Sequence, residues 1–382
     1  MDLSIPVELE SLQQTVREFV RRELLPLEAQ VENEDHIDPQ VMRKLQKRSV
    51  ELGLYGFNLP ADVGGGGVGP LGQVLVGEAM GQTTMALGEA LGRLPQALRL
   101  ASEQQLDWFL EPALLADITV CNALTEPEAG SDLARLSTRA ELCSDGWRLN
   151  GAKQFISNAE VSDYLLVLAV TDSSAPLRDR FTTFIVDRTN PGVQMMPRYR
   201  KMGWRGYPIS AFAMTDCLVD GGRVLGEVGC GFEVMMESVN MTRLYLASKC
   251  VGTAREALRL SQEYANLRKT FGRPLGEHQA IQFKLADMDV DIEAARMLVL
   301  AGACDGEAGR PSFRIAASRA KLFATEMLGR VADSAVVVFG AAGYMSDLPI
   351  ERIYRDARAF RIGEGTSEMQ RIQIGRHVLR GR

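Results

Sequence analysis

The chain has 382 residues, 46% hydrophobic and 24% charged, a balance that supplies a large packed core and excludes a disordered or disulfide-stapled chain. Its formal net charge of −6, without any long block of like charge, excludes an electrostatic nucleic-acid binder. Six cysteines (Cys121, Cys143, Cys217, Cys230, Cys250, Cys304) form no C-x-x-C pair and three histidines (His36, His278, His377) form no H-E-x-x-H, so reduced thiols and no zinc site are expected.

The opening MDLSIPVELE carries no basic segment followed by an apolar one, so no secretory or transit peptide is read there and a cytoplasmic location is expected. Val7, Leu9, Leu12, Val16, Phe19 and Val20 then recur at helical spacing, as do Val41, Leu45 and Leu52. Asp38 before Pro39 predicts a helix start, because Asp caps and Pro suits the first turn. The basic run Arg43–Arg48 alternates with apolar residues and reads as the solvated side of that helix. Gly64–Gly67, followed by Gly69 and Pro70, breaks the pattern. No G-K-[ST] follows these glycines, so a flexible connection between helices is expected there, not a phosphate loop.

The period then changes. Asp163–Val170 (DYLLVLAV), Phe181–Val186 (FTTFIV) and Ile209–Met214 (ISAFAM) are short runs rich in branched and aromatic residues, separated by turn-forming stretches. Strands this close, with no helices between them, predict an antiparallel barrel or sandwich rather than a Rossmann sheet. From Phe232 the helical period returns in long runs broken at Gly272–Pro274, Gly309–Pro311 and Gly340–Gly343, which predicts a four-helix-type bundle. The most apolar run, Ala335–Tyr344, is shorter than the roughly 20 residues of a membrane span. The expected class is α+β, with an N-terminal helical domain (1–118), a middle β-domain (119–230) and a C-terminal helical bundle (231–382). No G-x-G-x-x-G with a downstream acid occurs, which disfavours a nicotinamide cofactor.

Several segments carry candidate chemistry. In Ala123–Asp132 (ALTEPEAGSD), Pro127 and Gly130 force a turn, and Thr125, Ser131 and open backbone amides offer hydrogen-bond donors. Arg268–Gln279 (RKTFGRPLGEHQ) offers a guanidinium able to pair bidentately with a pyrophosphate. In Arg361–Arg371 (RIGEGTSEMQR), Glu364 stands between Gly363 and Gly365, residues that let backbone approach a ligand. The following Ser367–Gln370 has the S-x-x-Q pattern of a capping box and predicts a helix start. The string Thr84–Leu98 and the helix around residue 240 are expected to line any substrate pocket; Glu89 and Arg93 would make its floor polar if turned inward, but are expected to face solvent.

The wording of these segments resembles the acyl-CoA dehydrogenase family. The resemblance implies FAD as cofactor, with Leu124, Thr125, Gly130 and Ser131 along the flavin and its pyrophosphate. Asn150–Asn158 (NGAKQFISN) is similar to the family's second flavin segment, which assigns Ser157 to the flavin N5 edge and Phe155, where Trp is usual, to the ring face. The Lys201–Arg205 turn (KMGWR) also resembles the family and is given a structural role. Gly229–Arg243 resembles the family's entrance to the C-terminal bundle, placing Arg243 at the acyl-CoA with Asn240 where Asp is common. Arg268, Thr270, Phe271 and Gln279 match residues that hold FAD of a neighbouring subunit, which implies a homo-oligomer, typically a tetramer. Gly340 matches a turn at the adenosine end, although Val337 and Ala341 depart from the usual Gln and Gly. Glu364, with Gly363 before it where Tyr is frequent, matches the family's general base; Thr366 and Glu368 match contacts to FAD, and Ser131 and Gly365 contacts to substrate.

The activity implied by the resemblance is α,β-dehydrogenation of an acyl-CoA thioester, with an electron-transferring flavoprotein as acceptor and no membrane span. An acyl group on a carrier protein, a flavin oxidase or monooxygenase of the same fold, and a non-catalytic flavin- or CoA-binding relative are the alternatives.

Overall fold

The computed structural model describes residues 5–381, apart from the side chains at 236 and 237. Helices come first: α1 (Val7–Phe19), α2 (Glu28–Glu34), α3 (Pro39–Glu51), α4 (Pro70–Met80), α5 (Met85–Gly88) and α6 (Glu111–Leu114). The apolar period of α1 buries Val16, Phe19 and the next residue, Val20, and leaves Val7 outside. Helix α3 starts where Asp38 and Pro39 predict: the Asp38 carboxylate accepts the Gln40 amide at 2.7 Å and Pro39 takes the first turn. The core these helices share also takes in Tyr207 and Tyr245, from the middle and C-terminal thirds, so it spans all three parts.

The glycine run between α3 and α4 is not the flexible connection its composition suggests. The amides of Gly65, Gly66, Gly67 and Val68 donate to the carbonyls of Pro60, Gly56, Leu59 and Phe57 at 2.9, 3.1, 2.8 and 2.9 Å. A Cβ on Gly66 would stand 2.8 Å from Phe57 Cα. Glycine is used here to press backbone on backbone, not for mobility.

The middle third holds β1 (Val120–Ala123), β2 (Arg139–Cys143), β3 (Gly146–Ser157), β4 (Tyr164–Val170), β5 (Phe181–Asp187), β6 (Val193–Met195), β7 (Ile209–Val219) and β8 (Val224–Leu225). They form one sheet in the order β6-β7-β3-β2-β4-β5-β8, with β1 beside β4. Pairing is mostly antiparallel, as expected, but β1 runs parallel to β4, and β2 meets β4 in parallel at Arg139 and Val170. Strands β4 and β5 are buried almost throughout, because helical parts cover one face while the other faces the sheet's own core.

Inside this domain lies an ion pair. Lys153 Nζ stands 2.8 Å from Glu126 Oε1, with side chains 0% and 2% exposed. The ammonium also donates to the carbonyls of Leu124 and Leu168 at 3.0 and 2.7 Å. Glu126 in turn accepts the Ser137 amide at 2.7 Å and the Thr138 amide at 3.1 Å. Burial pushes the Glu126 carboxyl up, but the Lys153 charge and these hydrogen bonds outweigh it and hold its pKa below the ordinary value. The pair fastens the Leu124–Ser131 loop to the sheet.

The C-terminal third is built from α7 (Gly231–Leu267), α8 (Gln279–Glu307), α9 (Phe313–Phe339), α10 (Pro349–Phe360) and α11 (Ser367–Leu379), packed around an Ala-rich core that brings the helix axes close. Among the described residues no helix is long and apolar enough to cross a membrane. The Lys201–Arg205 turn joins the parts: the Trp204 ring lies 5.7 Å from that of Tyr207 and 5.2 Å from that of Phe360, and its amide donates to Asp356 at 2.6 Å.

Replacing Lys153 by Met leaves the Glu126 carboxylate buried without its counter-charge. The expected loss of stability is about 3–5 kcal/mol, checked by urea unfolding of the purified variant. The stability that the ionised Glu126 contributes is present above the ordinary carboxylate range and is lost as pH falls through its lowered native pKa.

Candidate active site

Glu364 occupies the turn between α10 and α11 with φ of 55°, and Gly365 follows at 87°. A non-glycine residue in this left-handed region carries strain of order 1 kcal/mol or more. Three donors hold the turn in place. Arg243 Nε donates to the Glu364 carbonyl at 3.2 Å, Lys321 Nζ to the Gly365 carbonyl at 2.7 Å, and Gln370 Nε2 to the Gly365 carbonyl at 3.0 Å. Arg243, Lys321 and Gln370 are 6%, 0% and 0% exposed, so the clamp is itself immobilised by packing. Gly365 is required twice over, by its φ and because a Cβ there would stand 2.9 Å from Gln370 Nε2.

The S-x-x-Q pattern is not used as a capping box. Thr366 is the N-cap, its hydroxyl accepting the Met369 amide at 3.3 Å. Ser367 instead donates to Glu326 at 2.8 Å, and Gln370 is drawn back to the strained turn. Tertiary partners have taken over both side chains of the local motif.

Glu364 keeps surface open to solvent, yet protein mass crowds around it. Burial therefore raises its carboxyl above the ordinary value, opposed by the charges of Arg93, then Arg243, then Lys321. Lys321 itself is lowered to about 8 by burial. Asn240 does not stand free: its Oδ1 accepts from Arg243 Nη1 at 3.4 Å, so it braces the arginine that braces Glu364.

From the β-domain side, strand β3 approaches the same region. Its register against β7 slips between Lys153 and Ile156, and Phe155 takes a φ of 55°. This bulge turns the Phe155 ring outward, 58% exposed and 5.0 Å from the Tyr199 ring, while Ile156 stays in the core at 3%. Ser157 ends the strand, and the Tyr207 hydroxyl meets its side chain while lying within electrostatic reach of Glu364. On the loop that Lys153 and Glu126 fasten, Leu124 and Thr125 are half-buried and Gly130 and Ser131 exposed. A Cβ at Gly130 would meet nothing within 4 Å.

The other expected residues lie elsewhere. Along the single helix α7, Arg268 stands 25 residues beyond Arg243, about 37 Å at 1.5 Å per residue. Tyr264 and Phe339 stack with ring centroids 4.3 Å apart, so the ends of α7 and α9 coincide and Gly340 sits near the Arg268 loop. There Arg268, Phe271, Gln279 and Gly340 are all exposed, Thr270 bonds His278 at 3.0 Å, and Phe271 is 97% exposed. Within one chain this pole is remote from Glu364. Thr366 and Glu368, at the start of α11, lie beside Glu364 itself, the first half-buried and the second exposed.

Glu89 and Arg93 do not face solvent as expected. Arg93 donates to Thr242 Oγ1 at 3.2 Å and lies 4.8 Å over the Tyr245 ring, both on α7. Glu89 accepts from Asn158 Nδ2 at 2.8 Å. Burial raises the Glu89 carboxyl, with Lys249 the foremost opposing charge. Sequence reasoning also missed Lys321, for which a signal existed: it falls on the buried stripe of α9 with Ala317, Ala324 and Leu328.

A helical, β and helical chain that presents one carboxylate on a clamped turn among buried cations, against a fastened loop and an outturned aromatic ring, defines an oxidoreductase acting on CH–CH groups once its relatives are considered. Family models for the N-terminal, middle and C-terminal domains of acyl-CoA dehydrogenases match residues 6–115, 121–217 and 229–379, and the chain belongs to the acyl-CoA dehydrogenase family. It is 35% identical over 383 residues to human mitochondrial short-chain specific acyl-CoA dehydrogenase, covering 99% of this chain and 92% of the relative. A probable acyl-CoA dehydrogenase of Bacillus subtilis is 35% identical over 386 residues, covering 100% of each chain. The solved butyryl-CoA dehydrogenase of Megasphaera elsdenii superposes with a TM-score of 0.91 at 31% identity, covering 99% of this chain and 100% of that one. Members of this family are flavoproteins that bind FAD.

Lys321→Met removes one of the cations that oppose the rise in the Glu364 pKa and one donor to its turn. The acid limb of the pH–rate profile is expected to move to higher pH and the maximal rate to fall, as measured by steady-state kinetics across the acid range.

Proposed function

We propose that this protein introduces an α,β double bond into an acyl-CoA thioester, with Glu364 as the base that removes the α-proton. The observation that carries this reading is the clamped Glu364 turn, whose carboxyl is lifted by burial and lies within electrostatic reach of Tyr207, next to Ser157. The thioester carbonyl acidifies the Cα–H bond. A carboxylate with a raised pKa is better matched to that proton than an ordinary one. The Glu364 amide donates to the thioester oxygen as enolate charge develops. Arg243, braced by Asn240, and Ser131 receive the CoA portion, and Gly365 lets the ligand close on the backbone.

FAD, when bound, would supply the acceptor for the hydride lost from Cβ. The residues present fit that cofactor. The strained Phe155 presents an exposed ring face, Ser157 a hydroxyl beside it, and Leu124, Thr125, Gly130 and Ser131 a partly exposed loop with backbone amides and hydroxyls. Thr366 and Glu368 complete the contacts from the start of α11.

Because Arg268, Thr270, Phe271 and Gln279 stand a helix-length from Glu364 in the same chain, their role toward FAD is exercised on a neighbouring subunit, with Gly340 beside them. Exposed Phe271, Tyr344 and Phe283, at 97%, 81% and 60%, supply apolar surface for such a homo-oligomer, a tetramer in this reading. An electron-transferring flavoprotein is the electron acceptor in this reading, and the cytoplasm the location.

Glu364→Gln is expected to lower turnover by about a hundred- to ten-thousand-fold while the flavin content and the spectral change on acyl-CoA binding persist. Turnover near the wild-type rate removes Glu364 from the role. Arg268→Ala is expected to lower FAD retention and loosen the oligomer. Unchanged flavin absorbance together with an unchanged elution volume in gel filtration overturns the inter-subunit contact.

A further inference from the structure

Two surfaces must face each other for the proposed reaction: the Glu364 turn, and the end of β3 that carries Phe155 and Ser157. Both lead back to one contact, in which the Trp204 amide donates to Asp356 Oδ1 at 2.6 Å. On one side, α10 runs from Asp356 through Phe360 into the Glu364 turn. The Ile362 and Gly363 amides still donate to the Ala359 carbonyl there, at 3.0 and 3.1 Å, so the turn moves with the helix. On the other side, the chain runs from Trp204 through Tyr207 into β7, whose first residues, Ile209 and Ser210, pair with Ser157 and Ile156. The Asn158 amide closes that end by donating to the Pro208 carbonyl at 2.8 Å.

The sequence around the contact is shaped to make it. A Cβ on Gly203 would collide with Asp356 Oδ1, so glycine is what lets the turn reach the carboxylate. One residue back on α10, the Arg355 guanidinium donates to the Met202 carbonyl at 3.0 Å, so the helix grips the turn with a donor and an acceptor side by side. Asp356 is 8% exposed, and burial pushes its carboxyl up to about 6, opposed by the Trp204 hydrogen bond and by Arg352 and Arg355. Both arginines are paired on α2, Arg352 with Glu28 at 2.7 Å and Arg355 with Glu32. Among the described residues the Trp204 amide is thus the one hydrogen-bond donor to this carboxylate.

The Trp204 ring does not duplicate that bond. Its Nε1 is buried without a hydrogen-bond partner among the described residues, and its neighbours Tyr207 and Phe360 meet it ring to ring. A cavity of about 240 Å³, lined by Thr83, Trp204, Lys249, Asp356 and Phe360 among others, lies beside it. An indole held by packing next to open volume has room to shift once its amide is released.

Resting on the dehydrogenase reading above, we propose that Asp356 is a positioning residue for the reaction: its bond to the Trp204 amide fixes the spacing between the Glu364 turn and the Ser157 end of β3. It acts through backbone at both ends, and not by contact with the substrate. The spacing decides how the base stands against the acyl chain, and a misplacement of roughly 1 Å costs about a hundredfold in rate.

The test follows reduction of the bound flavin in anaerobic stopped-flow, using the flavin-loaded protein and straight-chain acyl-CoA thioesters from butyryl- to palmitoyl-CoA. For the thioester that bleaches the wild type fastest, the limiting rate and the half-saturating concentration are compared across variants. Asp356→Leu is expected to lower the limiting rate about 10- to 100-fold with the half-saturating concentration little changed. Asp356→Asn keeps an acceptor for the amide and should recover most of the rate. Gly203→Ala, whose Cβ drives the turn off the carboxylate, should slow reduction in the same way, and it decides where Asp356→Leu does not retain flavin. A wild-type limiting rate in Asp356→Leu, with a lower melting temperature alone, assigns the residue to stability and overturns the positioning role. A loss carried only by the half-saturating concentration, or an Asn variant as slow as the Leu variant, overturns it too. Each of these leaves the dehydrogenase reading standing. A wild type that none of the thioesters bleaches overturns both.

Discussion

Two consecutive residues in the left-handed region, Glu364 and Gly365, point their carbonyls at three buried donors, and the site depends on that arrangement. The strain of the turn is offset by hydrogen bonds from Arg243, Lys321 and Gln370, which come from α7, α9 and α11. Each donor belongs to a different helix of the bundle, so the turn keeps its form only while the bundle is packed. The Ala-rich core that brings those helices close is thus part of the proposed catalytic arrangement, because looser packing would lengthen the bonds that hold a strained backbone.

A second buried constraint fixes the opposing surface. Lys153 and Glu126 are shielded from solvent, and together they tie the Leu124–Ser131 loop to β4 and to the start of β2. Two residues further along β3 the bulge begins that throws Phe155 outward. One short stretch therefore supplies the anchor at Lys153, the displayed ring at Phe155 and the hydroxyl at Ser157. Trp204 then sets the distance between the two halves, since its ring packs on Phe360 of α10 while its amide is held by Asp356.

Much of this was legible in the amino-acid sequence. The helical and strand periods are local properties, and they place α1, α3, β4, β5 and β7 because burial follows the same alternation that the residues show. Asp38 and Pro39 act as a cap through bonds to their own neighbours, so they too could be read locally. What failed was whatever depends on distant partners. Gly64–Gly67 looks like a flexible joint until the carbonyls of residues 56–60 are seen to receive its amides. Ser367 and Gln370 look like a capping pair until Glu326 and the Glu364 turn claim them. Glu89 and Arg93 read as solvated charges because their partners, Asn158 and Thr242, lie 69 and 149 residues away in the chain.

Arg93 bears on the strength of the base proposed here. Of the charges that oppose the burial-driven rise at Glu364, Arg93 stands first. In the ligand-free arrangement it therefore helps keep the carboxylate ionised. A bound acyl chain that displaces water from around Glu364 acts in the opposite direction, by lowering the local dielectric around the carboxylate. In the proposed reaction Glu364 would thus become most basic with the acyl group bound, which ties proton removal to the filling of the site.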